Sequence, residues 1–360
     1  MKIKKILAIG MAAFLSLQLV ACSGSDKKSE TKEKIVVSGI NGSVNFTPIY
    51  IGKEKGFFEK EGIDVETVLF DNGPVQMEAL ASDSWDLGFT GVGGVLSGLV
   101  SYNAKLVGAT NTDNGTQTVW VRNDGKIAAA GKGKNTINPE IVGDHDSWKG
   151  ASVLCNSGTV LEYLLIKTLK GFDLDISDVS VITMDAPTAN SAFQAGQGDA
   201  SVITGAISFA EDKKDYTQAS SGNMAKTGLE CSIIANPKSY EDSEKYNTMV
   251  KFMKVYWDVV KWMGENKEEA AKLCSEFNAE CGIMLDEKTA SLYLEQDPYY
   301  DPESVLERMN TKSNNGDYSL MEEDLLGVMD FFISTGKYHE DDIDKFLNHM
   351  DTKLMTDILK

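Results

Sequence analysis

From Lys34 onward, short apolar runs alternate with segments of helical spacing, and they do so in two successive series. Ile35-Val36-Val37-Ser38 reads as a strand, followed by a glycine-bearing loop at 39–45 and a helix over Pro48–Phe58. A second strand spans Ile63–Leu69, with Ile63, Val65 and Leu69 on one face. Asp71-Asn72-Gly73-Pro74 is a turn into a helix at Val75–Ser82. Asp86–Phe89 is a third strand, Gly91–Tyr102 a third helix, and Leu106–Thr110 and Thr118–Arg122 are further strands. Residues 124–146 break the rhythm and read as a peripheral loop. Alternation then resumes with strand Ser152–Cys155, helix Thr159–Lys170, strand Val179–Thr183, helix Ala189–Ala195 and strand Ala200–Thr204. After a polar stretch, Cys231–Ala235 is another strand. Strands and helices in this order build mostly parallel sheets flanked by helices, so the expected class is α/β.

From Ser243 the chain reads as helical almost to Lys360, and the stripe Met249, Phe252, Met253, Tyr256, Val260 and Met263 is core rather than a ligand surface. A chain of 360 residues exceeds what one hydrophobic core usually serves. The expected division is 35–120 together with 231–360 as one lobe and 121–230 as the other, the chain leaving the first, building the second and returning.

The N-terminus reads as an export signal. Lys2, Lys4 and Lys5 precede the apolar run Ile6–Leu15, which is too short to span a bilayer. Leu19-Val20-Ala21-Cys22 resembles a bacterial lipobox, which implies a signal peptide over 1–21 and lipid on Cys22, with 22–34 as a flexible tether to the cell membrane. Cys155, Cys231, Cys274 and Cys281 then remain in an export compartment, and four cysteines allow three pairings. Cys274 and Cys281 are nearest in sequence, yet seven helical residues separate them by about 10 Å. A bridge between them needs a turn near Asn278, because disulfide Cα atoms lie within about 7 Å; buried free thiols are the alternative.

A formal charge of -19 opposes nucleic-acid binding, which needs basic patches. Arg122 and Arg308 are the only arginines, so an anionic ligand has at most two bidentate clamps. His145, His339 and His349 are scattered and no CxxC occurs. Neither a metal centre nor a Ser-His-Asp or Cys-His catalytic set is expected; the reading as a binding protein without cofactor, not an enzyme, comes from the family resemblance carried by the following motifs.

The run PIYIGKEKGFFEKEGIDVE, residues 48–66, resembles a hallmark of the solute-binding proteins of ABC importers that serve sulfonates, taurine, nitrate and thiamine precursors. Physically, Gly56 can stop the helix in the left-handed conformation, Phe57 and Phe58 cap the core under the sheet, and Gly62 turns the chain into the next strand. The resemblance continues in GPVQMEALASDSWDLGFTG, where Ser82 or Ser84 replaces a glycine, then in DSWKGASVLCNSGTVLEYLL, DAPTANSAFQAGQGDASVI and the tail FFISTGKYHEDDI. It runs from about Lys34 to Leu354 and implies a two-lobed periplasmic-binding-protein type II fold with a helical C-terminal tail.

It further implies a monomer that closes two hinged lobes over a small molecule and delivers it to a membrane permease. The ligand would meet loops at strand ends and helix starts. In the first lobe these are Ser43, Asn45 and Phe46, then Asn72 and Gly73, then Thr90 and Gly91. In the second they are Asn156, Ser157, Gly158 and Thr159, then Asp185 and Thr204. Ser157, Thr159 and Asp185 serve equally well as helix caps. Ile203-Thr204-Gly205-Ala206 stands where many relatives carry a bulky, charged run. Asp71, Asp113 and Asp185 would suit an amine or heterocyclic N–H, while a sulfonate would depend on helix starts alone. Two further readings are a ligand-sensing lipoprotein with a signalling partner and an enzyme resembling those of thiamine-pyrimidine synthesis, the latter opposed by the sparse histidines.

Overall fold

The computed structural model describes residues 32–209, 214–314 and 316–360; Cys22 and the signal segment 1–21 lie outside them. In chain order the strands are β1 (Glu33–Ile40), β2 (Ile63–Phe70), β3 (Leu87–Thr90), β4 (Lys105–Thr112), β5 (Thr118–Arg122), β6 (Ser152–Cys155), β7 (Ser180–Thr183), β8 (Ala200–Ile203), β9 (Tyr216–Ser221) and β10 (Glu230–Ala235). They form two five-stranded sheets, ordered β2-β1-β3-β10-β4 and β7-β6-β8-β5-β9. In the first sheet β2, β1 and β3 are parallel, and β10 runs antiparallel to both β3 and β4. In the second, β7, β6 and β8 are parallel, and β5 runs antiparallel to both β8 and β9. Each sheet is therefore mixed, with a single strand opposed to its four companions. The opposed strands are the two that the chain lays down on changing sheets, β5 going out and β10 coming back.

The glycine-flanked aromatic pair resolves into two helices rather than one. The first helix spans Thr47–Glu54, and a second, Phe57–Lys60, restarts after Gly56, whose φ of 69° is left-handed. The restart aims Phe58 inward, where it is 2% exposed and its ring stacks on Phe252 at 4.9 Å between centroids and 8° between planes. Phe57 stays half-buried, edge-on to Trp262 at 6.2 Å. A Cβ on Gly52 would collide with the Phe58 ring, so the first helix carries a glycine where the ring crosses it. Phe252 belongs to the long helix Ser243–Glu265, which buries Met249, Phe252, Met253 and Tyr256 in the core around the first sheet.

Residues 124–146 are not peripheral. Ile127, Ile141 and Val142 are buried in the second core, and the Trp148 indole N–H donates to the Val142 carbonyl. Asn135 donates to the Thr168 carbonyl, and the Thr136 N–H to that of Gly171. The segment thus packs at the C-terminal end of the helix Val160–Lys170. One strand escaped the sequence reading: β9 (YTQASS) is polar along its length and shows no apolar alternation.

The turn at Asn278 that a Cys274–Cys281 bridge would need does not occur. The helix Lys267–Glu280 runs through that position, and Cys155, Cys231, Cys274 and Cys281 are all free thiols.

The contrast within the aromatic pair is testable. Phe58→Ala should cost about 3–5 kcal/mol, the range for deleting a buried phenylalanine, in equilibrium urea unfolding. Phe57→Ala should cost about 1 kcal/mol, because less area leaves water there. Equal losses would show that the restart at Gly56 does not select the inward ring.

Candidate functional site

The chain passes from the first sheet to the second over residues 113–117 and returns over 222–229. The two crossings are bonded to each other. Gly222 N–H donates to the Gln117 carbonyl and Asp113 N–H to that of Leu229. The Asn114 side-chain oxygen accepts from Leu229 N–H at 2.8 Å and from the Thr227 hydroxyl at 2.7 Å. A third segment, 297–300, runs alongside: Thr112 N–H donates to Pro298 and Tyr300 N–H to Thr110. Asp297, almost fully buried, accepts from Gly115 N–H at 2.8 Å and fixes this segment to the first crossing.

The loop after β1 is held by three tyrosines from the C-terminal region. Tyr293 donates to the Gly42 carbonyl at 3.3 Å, Tyr299 to Val44 at 2.6 Å and Tyr256 to Asn45 at 3.1 Å. Within the loop the Ser43 hydroxyl donates to the Asn45 side-chain oxygen, and Asn45 Nδ2, in a residue 1% exposed, has no partner. Phe46 points the other way, into the core, against Phe89 and Phe277.

Two helix starts of the first sheet meet at a glycine contact. A Cβ on Gly73 would lie 2.6 Å from Gly94 Cα, so the helices Gly73–Leu80 and Val92–Tyr102 touch backbone to backbone. Thr90, fully buried, sits beside both, and its hydroxyl has no partner. Asn72 caps the first helix by accepting from Val75 N–H at 3.0 Å. Gly91 caps the second without a side chain, and the Asp113 carboxylate lies 3.4 Å from where its Cβ would be. Asp71 is engaged nearby as the acceptor for Asn41.

In the second sheet the loop after β6 is closed by its own residues. Thr159 accepts from Leu161 N–H and donates to the Asn156 carbonyl at 2.6 Å. Gly158, at a φ of 72°, donates its N–H to Glu162 at 2.8 Å. Ser157 hydrogen-bonds Thr183, at the end of β7, at 2.9 Å. Asp185 caps the helix Ala186–Gln194, accepting from the N–H and hydroxyl of Thr188, and these bonds hold its carboxyl below the usual range. Thr204, half-buried, ends β8 and leads into a 3-10 turn over Gly205–Phe209.

Two contacts join the two regions. Phe209, from the turn after β8, packs on Val44, Leu285 and Tyr293 beside the loop after β1. Tyr163, one turn into the helix Val160–Lys170, meets Phe331 of the C-terminal helices at 5.4 Å. The structure therefore brings the turn after Thr204 to the cluster beside the loop Ser43–Asn45, with Asp113, Gly91, Thr90 and Gly73 clustered on the first sheet's side. Asp297, Gln117 and the three tyrosines were not picked out from sequence. The one signal for the crossing was the polar, glycine-bearing run NTDNGTQT between two apolar strands.

Neither arginine is free for a ligand. Arg122 donates to the carbonyls of Phe193, Gln197 and Gly198 and stacks on Phe193. Arg308 bridges Glu230 at 3.0 Å and Asp324 at 2.9 Å. The Asp113 carboxyl is pushed up to about 8, first by burial and second by Asp297, whose own carboxyl burial also raises. Burial raises Glu230 to about 7 against the pull of Arg308.

The sign of the resulting pH dependence follows. A carboxyl that keeps its proton to higher pH when folded contributes stability below its unfolded value near 4, and loses it as pH climbs to the folded value. Melting temperature should therefore fall between about pH 4 and about pH 8, with Glu230 acting in the same direction. Asp113→Asn should flatten the upper part of that fall in melting curves. An unchanged slope would show that Asp113 keeps no extra proton.

A family model described as NMT1-like matches residues 29–275. A Brachyspira hyodysenteriae protein, provisionally named an ABC transporter periplasmic binding protein, is 24% identical over 353 residues, covering 98% of this chain and 97% of its own. A Bacillus subtilis protein, provisionally named an aliphatic sulfonates-binding protein, is 28% identical over 263 residues, 72% of this chain and 74% of its own. The crystal structure of the periplasmic aliphatic sulphonate binding protein SsuA from Escherichia coli superposes with a TM-score of 0.66 at 17% identity, covering 88% of this chain and 92% of that one. The chain belongs to the NMT1-like family and has the fold of the periplasmic solute-binding proteins of ABC transporters.

Proposed function

We propose that the protein is an extracytoplasmic receptor that captures a small organic molecule between two lobes, one built on each sheet, and delivers it to the permease of an ABC importer. The observation that supports this reading is the contact of the turn after β8 with the cluster beside the loop after β1, the chain passing between the sheets through the paired crossings 113–117 and 222–229. Two segments bonded side by side permit a bending motion while keeping the lobes in register, and a ligand that touches both lobes stabilises the closed form. The contacts proposed for it are Ser43 and Asn45, Asn72 and Gly73, Thr90 and Gly91 from one side, and Asn156–Thr159, Asp185 and Thr204 from the other. Phe46 is proposed to support the loop from beneath. Lipid on Cys22 would hold the receptor at the outer face of the cell membrane, within reach of the permease.

Two measurements test this. Native mass spectrometry of the full chain, purified gently, should reveal a small molecule that denaturation releases. Adding it back to emptied protein should lower the radius of gyration in solution scattering and raise the melting temperature. Ligand at 100 times its dissociation constant adds about 2.7 kcal/mol. Tight binding without compaction would overturn the two-lobe mechanism. For the anchor, Cys22→Ser should move the protein from the membrane fraction to the soluble fraction of the producing bacterium; a variant that stays with the membrane would remove it.

A further inference from the structure

Three of the four helix starts proposed to meet the ligand have a side-chain acceptor supplied by the protein itself. Asn72 caps the helix Gly73–Leu80, Thr159 caps Val160–Lys170 while Glu162 accepts from Gly158 N–H just before it, Asp185 caps Ala186–Gln194, and Asp113 lies near the start of Val92–Tyr102, which has no side-chain cap. A sulfonate or carboxylate binds a helix start by accepting its free N–H groups. At three of these starts it would have to displace a side-chain oxygen, which at Asp185 belongs to a carboxylate, and at the fourth it would lie beside the Asp113 carboxyl. Both arginines are engaged elsewhere, so no guanidinium offsets the repulsion.

A second observation shows what is missing instead. Gln117 is 2% exposed, and its Nε2 donates to the Asp113 carbonyl at 2.9 Å, which fixes the amide's orientation. Its Oε1 is then a buried acceptor without a donor, beside the half-buried Asp113 carboxylate. Buried acceptors are costly until something donates to them. The crossing thus holds an acidic carboxyl and, beside it, a buried amide oxygen without a donor.

We infer that the molecule this cleft receives presents a basic nitrogen, an amine or amidine, to Asp113 and Gln117, in contrast to the sulfonate named for the structural neighbour. This rests on the receptor reading above and names the chemical class within it. The groups facing Asp113 are Asp297 from the segment beside the crossing, Cys231 from β10, Tyr293 from the helix Glu287–Gln296, and Gln117 from its own crossing. None is cationic. In the empty cleft burial and Asp297 hold a proton on Asp113; an arriving ammonium takes that proton's place and leaves the carboxylate charged and paired.

The test compares probes that share one body and differ in head group. Butylamine and butanesulfonate are titrated into the full chain, read by ligand-observed NMR and by melting temperature. The amine should saturate and raise the melting temperature while the sulfonate does neither, and Asp113→Asn should weaken the amine by about tenfold or more. Asp146→Asn, at an exposed site, controls for lost charge and should change nothing. Should Asp113→Asn fail to fold, the wild-type comparison and the chemical class of any co-purified molecule decide alone. Sulfonate binding without amine binding, equal binding of both, or no binding of the amine would each overturn this class. The receptor reading would still stand in each case if a co-purified molecule compacts the protein.

Discussion

A buried backbone N–H must find an acceptor, and where this chain leaves its first sheet that demand falls on the Asp297 carboxylate. It accepts from Gly115 N–H and lies 3.4 Å from the Thr112 hydroxyl, so the segment that joins the sheets is gripped from the side. A charge-assisted bond of this kind contributes about 1.5–3 kcal/mol. Much is aligned by that grip. Pro298 and Tyr300, next along the chain, exchange backbone bonds with β4, and Tyr299 between them reaches the Val44 carbonyl in the loop after β1. The same grip brings Asp113 close to Asp297, which leaves two carboxyls sharing a poorly solvated corner and makes it both proton-hungry and receptive to a cation.

The fold was legible where its cause is local. Apolar strands of four to eight residues separated by amphipathic helices gave the α/β class, and Gly56 and Gly62 marked turns that only their left-handed φ explains. What could not be read is where the chain changes sheet. β4 and β5 follow one another with only NTDNGTQT-like polarity between them, as any hairpin might, yet they lie in different sheets. β9 gave no signal because Tyr216–Ser221 pairs at the sheet's edge and turns only Tyr216 and the small Ala219 to the core among polar neighbours. The 124–146 segment misled in the opposite way, since its glycines and lysines outnumber the three apolar residues that bury it.

The candidate site was legible to a similar depth. Motif positions put Asn72, Thr159 and Asp185 at helix starts, and there they cap, as their residue types dictate over two or three residues of chain. Asp297 meets the crossing that carries Gln117, and the tyrosines at 256, 293 and 299 meet the loop after β1, only through the return of the chain, and no spacing in the sequence records that. Asp113 was visible as a charge near the cleft; its approach to Gly91 was not.

The position of β10 also bears on how the molecule is made. It lies between β3 and β4, so those two strands, though consecutive in the chain, never touch and are joined only through a strand that arrives much later. The first sheet cannot be completed until the second has been traversed, and contacts of such long sequence separation form slowly. A partly synthesised chain therefore carries an exposed β3 edge and an unplaced β4, neither able to fold by itself. For a chain exported as proposed above, this delay would be useful: the topology itself keeps the leading part of the chain open until the trailing part has emerged.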